Sequence, residues 1–141
     1  MSTPAGYLLD TNLISETRKI RADAGVMAFL AAADAAGLFL SVLTLGELRK
    51  GVEAKRRTDS VTAARLGGWV DGIETTFADR VLPVDAAAAR LWGELSARLR
   101  LPVVDTLIAA TAITCGLILV TRNTRDVAAT GALLLDPWQG G

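Results

Sequence analysis

Four acidic residues stand where short apolar runs give way to helix-forming sequence. Asp10 follows Tyr7-Leu8-Leu9, Glu47 lies beyond Leu38-Phe39-Leu40, and Asp126 lies beyond Leu117-Ile118-Leu119-Val120. Asp105 heads an Ala-rich stretch from Val103 to Ile113 that is otherwise almost wholly apolar. Carboxylates brought together repel: two at about 4 Å cost on the order of 4 kcal/mol at an effective dielectric near 20. The usual compensator for an all-oxygen cluster is Mg²⁺ or Mn²⁺. Such an ion activates water and stabilises the charge of a phosphoryl transition state. Each acid also has a plain structural reading. Asp10 and Asp105 suit helix N-termini, Thr44-x-x-Glu47 has the form of a capping box, and Asp126 is the third residue of a helix start at Asn123. Whether the four converge depends on the fold.

Composition narrows the chemistry. The 141 residues contain no His and one Cys, which excludes Ser–His and Cys–His catalysis, His-ligated metals and multi-cysteine zinc sites. Carboxylates, hydroxyls, Lys and Arg remain. Cys115 is expected to pack within its apolar helix. The net charge is zero, so contact with nucleic acid must come from a local basic patch. The densest cationic run is Arg49, Lys50, Lys55, Arg56 and Arg57, diluted by Glu53. It reads either as a solvated helix face or as a track for a phosphate backbone. No signal peptide is evident, and the longest uncharged run, Thr106 to Thr121, falls short of the ~20 residues that span a membrane. A cytoplasmic protein is expected.

The elements that must position the acids follow from periodicity. An apolar content of 51% supports one core, and the alternation of short Leu/Val runs with helical patterns indicates an α/β domain over residues 1–141. Strands are expected at Tyr7–Leu9, Leu38–Leu40, Leu117–Val120 and Leu133–Leu135, with Val81–Val84 as an edge segment because of Pro83. Helices are expected from Leu13 to about Thr17, over Val26–Ala36, from Ser41 through Gly51, over Val61–Phe77 weakened or bent at Gly67-Gly68, over Ala86–Leu99 and from Val103 to Gly116. Asp85 reads as a cap. If the strands are parallel, their C-terminal ends share one sheet edge, where ligands of open α/β sheets bind.

Four stretches carry a resemblance: Leu8-Leu-Asp-Thr-Asn-Leu-Ile-Ser15, Leu45-Gly-Glu-Leu-Arg-Lys-Gly51, Val104-Asp-Thr-Leu-Ile-Ala-Ala-Thr-Ala112 and Leu119-Val-Thr-Arg-Asn-Thr-Arg-Asp126. In order and spacing they resemble the four motifs of PIN domains, most closely VapC toxins of type II toxin–antitoxin systems in the FitB-like branch, whose C-terminus Asp136-Pro-Trp138 also resembles. The resemblance implies a PIN-like three-layer fold with a short, mostly parallel central sheet flanked by helices. It implies a Mg²⁺-dependent endoribonuclease, with Mn²⁺ able to substitute, whose core acids are Asp10, Glu47 and Asp105. The fourth position is assigned jointly to Asn123 and Asp126, with Asp126 as the acid. Thr11 and Thr121 are expected to orient the carboxylates or a water, and Arg49, Lys50 and Arg122 to steer RNA. The expected partners are an RNA substrate, a VapB-type antitoxin in a hetero-oligomer, and a second copy in a homodimer. Products are expected to carry 5′-phosphate and 3′-hydroxyl ends. Two alternatives stand beside this: a PIN module that binds RNA or a partner without cutting, and a phosphatase using Asp10 as nucleophile. The phosphatase pattern expects a second Asp where this chain has Asn12.

Overall fold

The computed structural model describes residues 5–138, so both ends of the domain expected over 1–141 lie outside the described residues. Five strands form one sheet: β1 (Tyr7–Leu9), β2 (Leu38–Ser41), β3 (Val81–Leu82), β4 (Ile118–Val120) and β5 (Leu134–Leu135). Their spatial order is β3-β2-β1-β4-β5, and every pairing is parallel. The chain builds outward from β1 to β2 and β3, then returns to place β4 on the other flank of β1. The order reverses between β1 and β4, and the crevice beyond the carboxyl ends of such a pair is the usual ligand position.

Among the described residues, seven α-helices cover the sheet: α1 (Thr11–Glu16), α2 (Ala24–Ala32), α3 (Val42–Arg56), α4 (Ser60–Thr76), α5 (Ala86–Arg98), α6 (Val103–Cys115) and α7 (Thr124–Val127). Successive strand residues point to opposite faces. Leu9 and Val120 therefore join Leu13, Val26, Leu48, Val52 and Val70 in one core. Leu8 and Leu119 join Ile108, Ala109 and Ala112 of α6 in the other. A strand buried on both faces reads as a continuous apolar run, which is what Tyr7–Leu9 and Leu117–Val120 are. The Ala-rich face of α6 lets that helix lie close to the sheet, and Gly116 in the left-handed conformation (φ 67°) ends it.

The described elements depart from expectation in four places. Helix α2 starts at Ala24, capped by the Asp23 carboxylate on the Val26 N–H, and stops at Ala32 because Ala33 is extended. Asp34 then caps a separate 3₁₀ turn, Ala35–Gly37. Helix α4 continues unbroken through Gly67-Gly68, with Gly67 facing Val52 of α3. Thr44 caps nothing, since α3 begins at Val42 under the Ser41 hydroxyl. Cys115 is exposed on the last turn of α6 rather than packed within it.

Candidate active site

Asp10 is the first residue beyond β1. Its backbone N–H still donates to Val120 O on β4 at 3.0 Å, which fixes the residue at the sheet edge. Its own conformation is extended (φ −68°, ψ 157°) while α1 begins behind it. Both carboxylate oxygens are engaged: Oδ1 accepts the Thr11 N–H at 2.8 Å, and Oδ2 accepts the Thr121 hydroxyl at 2.8 Å. Asp10 therefore caps α1 and also belongs to a polar cluster; the two roles coexist. Thr121, first beyond β4 and 2% exposed, accepts the Asn123 N–H at 3.1 Å. A directed chain of hydrogen bonds thus runs from Asn123 through Thr121 to Asp10.

Burial pushes the Asp10 carboxyl above its ordinary value of 3.8. The Thr121 and Thr11 hydrogen bonds pull it back, and the charges of Asp105 and then Glu47 push it up further. Among the described residues, no Lys or Arg forms an ion pair with Asp10, Glu47, Asp105 or Asp126. The cluster carries negative charge without a cation of its own.

Asp105 lies in the first turn of α6, but the cap position there is Pro102, which has no side-chain cap bond. Among the described residues, none donates a side-chain or backbone hydrogen bond to the Asp105 carboxylate, so the capping explanation fails for it. Burial raises its pKa above 3.8, followed by the charges of Glu47 and Asp126. Between Asp10 and Asp105 lies a small cleft of about 10 Å³, lined also by Thr121, Asn123 and Ile108. That is roughly the space one water needs.

Glu47 approaches from α3 and is exposed. Thr11 donates its hydroxyl proton to Glu47 Oε1 at 2.5 Å and lies 3.0 Å from Thr44 Oγ1. A hydroxyl has a single proton, so the fully buried Thr44 supplies the second bond by donating to Thr11. Thr44 is the one positioning residue that sequence reasoning missed. Its spacing of three from Glu47 places both on one helix face, a signal absorbed by the capping-box pattern. Asp126 sits exposed on α7 and outside the small cavity, whereas Asn123 lines it.

Among the described residues, no three acidic side chains are drawn together closely enough to cage an ion as they stand. The donor set nonetheless fits a hard divalent cation. It is all oxygen, it holds a desolvated carboxylate with like charges beside it, and two of its acids, Asp10 and Asp105, line a water-sized cleft.

The basic candidates separate. Arg49 donates to Asp71 at 2.6 Å and to Glu74 at 2.9 and 3.1 Å, so it clamps α3 to α4. Arg122 lies over the Trp138 ring, 5.6 Å from its centroid. Lys50 is exposed and makes no ion pair among the described residues.

The PIN domain family model matches residues 7–132, which takes in all four acids. A VapC ribonuclease, Y4jK of Sinorhizobium fredii, is 38% identical over 94% of this chain and 97% of its own length. The crystal structure of FitAcB from Neisseria gonorrhoeae superposes with a TM-score of 0.87 at 29% identity, covering 94% of this chain and 99% of that one. VapBC-5 of Mycobacterium tuberculosis, described as a member of the VapBC family of toxin–antitoxin systems, gives a TM-score of 0.65 at 31% identity over 94% of this chain and 97% of that one.

Proposed function

The chain belongs to the PIN domain family, and on that premise we propose that it is a divalent-metal-dependent endoribonuclease, the toxin of a type II toxin–antitoxin pair, folded as one domain along its length. The observation that carries this is the Asp10–Asp105 pair: two carboxylates with raised pKa values, at the strand-order reversal, around a water-sized cleft, with no Lys or Arg among the described residues paired to either. Asp10 and Asp105 would hold Mg²⁺ or Mn²⁺, with Glu47 and Asp126 contributing from α3 and α7. A bound ion supplies charge stabilisation to the phosphoryl group and activates a water for hydrolysis.

The chain's own residues do the positioning. Thr121 and the Thr11 N–H each hold one oxygen of Asp10, which favours its ionised form despite burial. Thr11, backed by Thr44, aims Glu47 toward the same edge. Asn123 fixes the Thr121 hydroxyl so that its proton faces Asp10. With no histidine in the sequence, there is no imidazole base to drive attack by the ribose 2′-hydroxyl. Hydrolysis by water with departure of the 3′-oxygen leaves 5′-phosphate and 3′-hydroxyl ends. The partner is a VapB-type antitoxin, a reading supported by the kinship with VapBC-5, and the toxin pairs with a second copy of itself. Incubating purified protein with total RNA in chelator, in Mg²⁺ and in Mn²⁺, then mapping product ends, tests the assignment. Metal-dependent cuts with 5′-phosphates are expected; cuts that persist in chelator, or that carry 2′,3′-cyclic ends, overturn it.

A further inference from the structure

Two grooves flank α1. One, of about 350 Å³, has Thr11 and Glu47 at one end, Leu48 and Trp69 in its wall, and Arg18 and Lys19 along its rim. The other, of about 260 Å³, is bounded by Asn12, Arg122 and Trp138. Ser15 and Lys19 line both, so α1 forms a ridge between them. The two tryptophans differ in availability. Trp138 already has Arg122 over its ring and its indole nitrogen is buried. Trp69 is half-buried, packs against the core, and among the described residues has no aromatic or cation partner. Arg18 is exposed and, among the described residues, makes no side-chain hydrogen bond or ion pair. Lys19 spends one of its three N–H donors on Glu16, at 2.9 Å.

We propose that the larger groove is a nucleotide subsite: an unpaired base next to the scissile phosphate stacks on Trp69 while the flanking phosphate meets Arg18 and Lys19. This rests on the ribonuclease reading. Three features favour an RNA strand over other occupants. The groove is continuous with the acid cluster through Thr11 and Glu47, so a strand lying with its phosphate there runs directly into it. Glu47 lies at its Thr11 end, where α1 begins, and Arg18 and Lys19 lie beyond the C-terminal end of α1. Its wall offers an aromatic surface beside those cations, the pairing that single-stranded nucleic acids use. Stacking on an aromatic tolerates any base, so the subsite selects for an unpaired nucleotide rather than a particular letter.

The test is binding of fluorescent single-stranded RNA in chelator, where cleavage does not interfere, by wild type, Trp69→Phe, Trp69→Leu and Arg18→Gln. Trp69→Leu retains apolar bulk but loses stacking, and affinity should fall roughly 5- to 140-fold. Trp69→Phe should lose less, and Arg18→Gln should lower the salt slope of binding by about 0.7. Because Trp69 also touches the core, each variant is first compared with wild type in melting temperature. A second measurement needs no variant: RNA carrying 4-thiouridine, irradiated on wild-type protein, should crosslink to Trp69 or its groove neighbours. A folded Trp69→Leu that binds RNA like wild type overturns the subsite, as do crosslinks confined to other surfaces. If RNA binding is indifferent to Trp69 while binding of a co-expressed antitoxin depends on it, the groove is a peptide site and the proposal is wrong. Cleavage that is intact but indifferent to Trp69 removes the subsite and leaves the nuclease; Trp69-dependent binding without metal-dependent cleavage does the reverse.

Discussion

The Thr121 hydroxyl donates to Asp10 Oδ2 at 2.8 Å, joining the carboxyl ends of β1 and β4 across 111 residues of sequence. The bond sits where the strand order reverses and holds the most deeply placed acid of the site. Replacing it with a shape-matched apolar residue separates its effects. Thr121→Val should cost about 1 kcal/mol in denaturant unfolding, because Asp10 loses a partner while packing is kept. Metal affinity or cleavage should fall about 10- to 100-fold, as when a ligand loses its orienting neighbour. Unchanged cleavage would remove Thr121 from the site.

The Thr44–Thr11–Glu47 chain makes a parallel claim on the other flank. Thr44→Val removes a fully buried donor without touching Glu47. Single-turnover cleavage should slow by roughly tenfold or more, with the metal requirement shifted to higher concentration. A variant whose stability falls while its metal dependence stays fixed would make Thr44 a core residue only.

Glu16 gives a pH signature away from the acid cluster. It is buried and accepts Lys19 Nζ and the Asp23 N–H, each at 2.9 Å. The Lys19 hydrogen bond, then that of Asp23, hold its carboxyl below the ordinary 4.5. A depressed carboxyl stabilises the fold above its unfolded value, and that contribution is lost as pH falls through the folded value. Wild type should therefore lose stability on acidification below about 4.5, and Glu16→Gln should flatten that part of the profile. Parallel profiles for the two proteins would contradict this.

The cations of α3 should divide by function. Arg56 is paired with Glu53 at 3.1 Å and Arg49 with Asp71 and Glu74, whereas Lys55 and Arg57 make no ion pair among the described residues. Neutralising Lys55 and Arg57 together should lower the salt slope of single-stranded RNA binding by about 1.4 if both meet phosphates. Arg49→Gln should lower the melting temperature and leave the slope alone. The reverse pattern would mean that the α3–α4 clamp opens to bind RNA.

The sheet, and the acids standing just beyond its strands, were legible because their signals are local. Apolar runs such as Leu117–Val120 mark strands buried on both faces, and an Asp or Glu just beyond such a run is conspicuous. Asp105 was equally visible, since a carboxylate in the apolar stretch that became α6 has few explanations. What escaped depends on contacts distant in sequence. Thr44 reads as a cap until Thr11 is known to lie beside it, and Arg49 reads as a free cation until α4 brings up Asp71 and Glu74. Helix α4 runs unbroken through Gly67-Gly68 because burial of Ala63 and Val70 on either side outweighs the weak helix propensity of glycine. The division between Asn123, at the cavity, and Asp126, outside it, turns on a single helical turn.

The central claim is that Asp10 and Asp105 together hold a divalent ion, and melting temperature with and without Mg²⁺, for wild type and Asp105→Asn, tests it most directly. Wild type should gain stability saturably with Mg²⁺, by about 2.7 kcal/mol at a hundredfold excess over Kd, a rise on the order of 5–10 °C. Asp105→Asn removes a charge that repels Asp10, so the metal-free variant should melt no lower than wild type, and its Mg²⁺-dependent rise should largely vanish. A variant that melts lower without metal yet keeps the full Mg²⁺ response would show that Asp105 supports the fold and does not bind the ion.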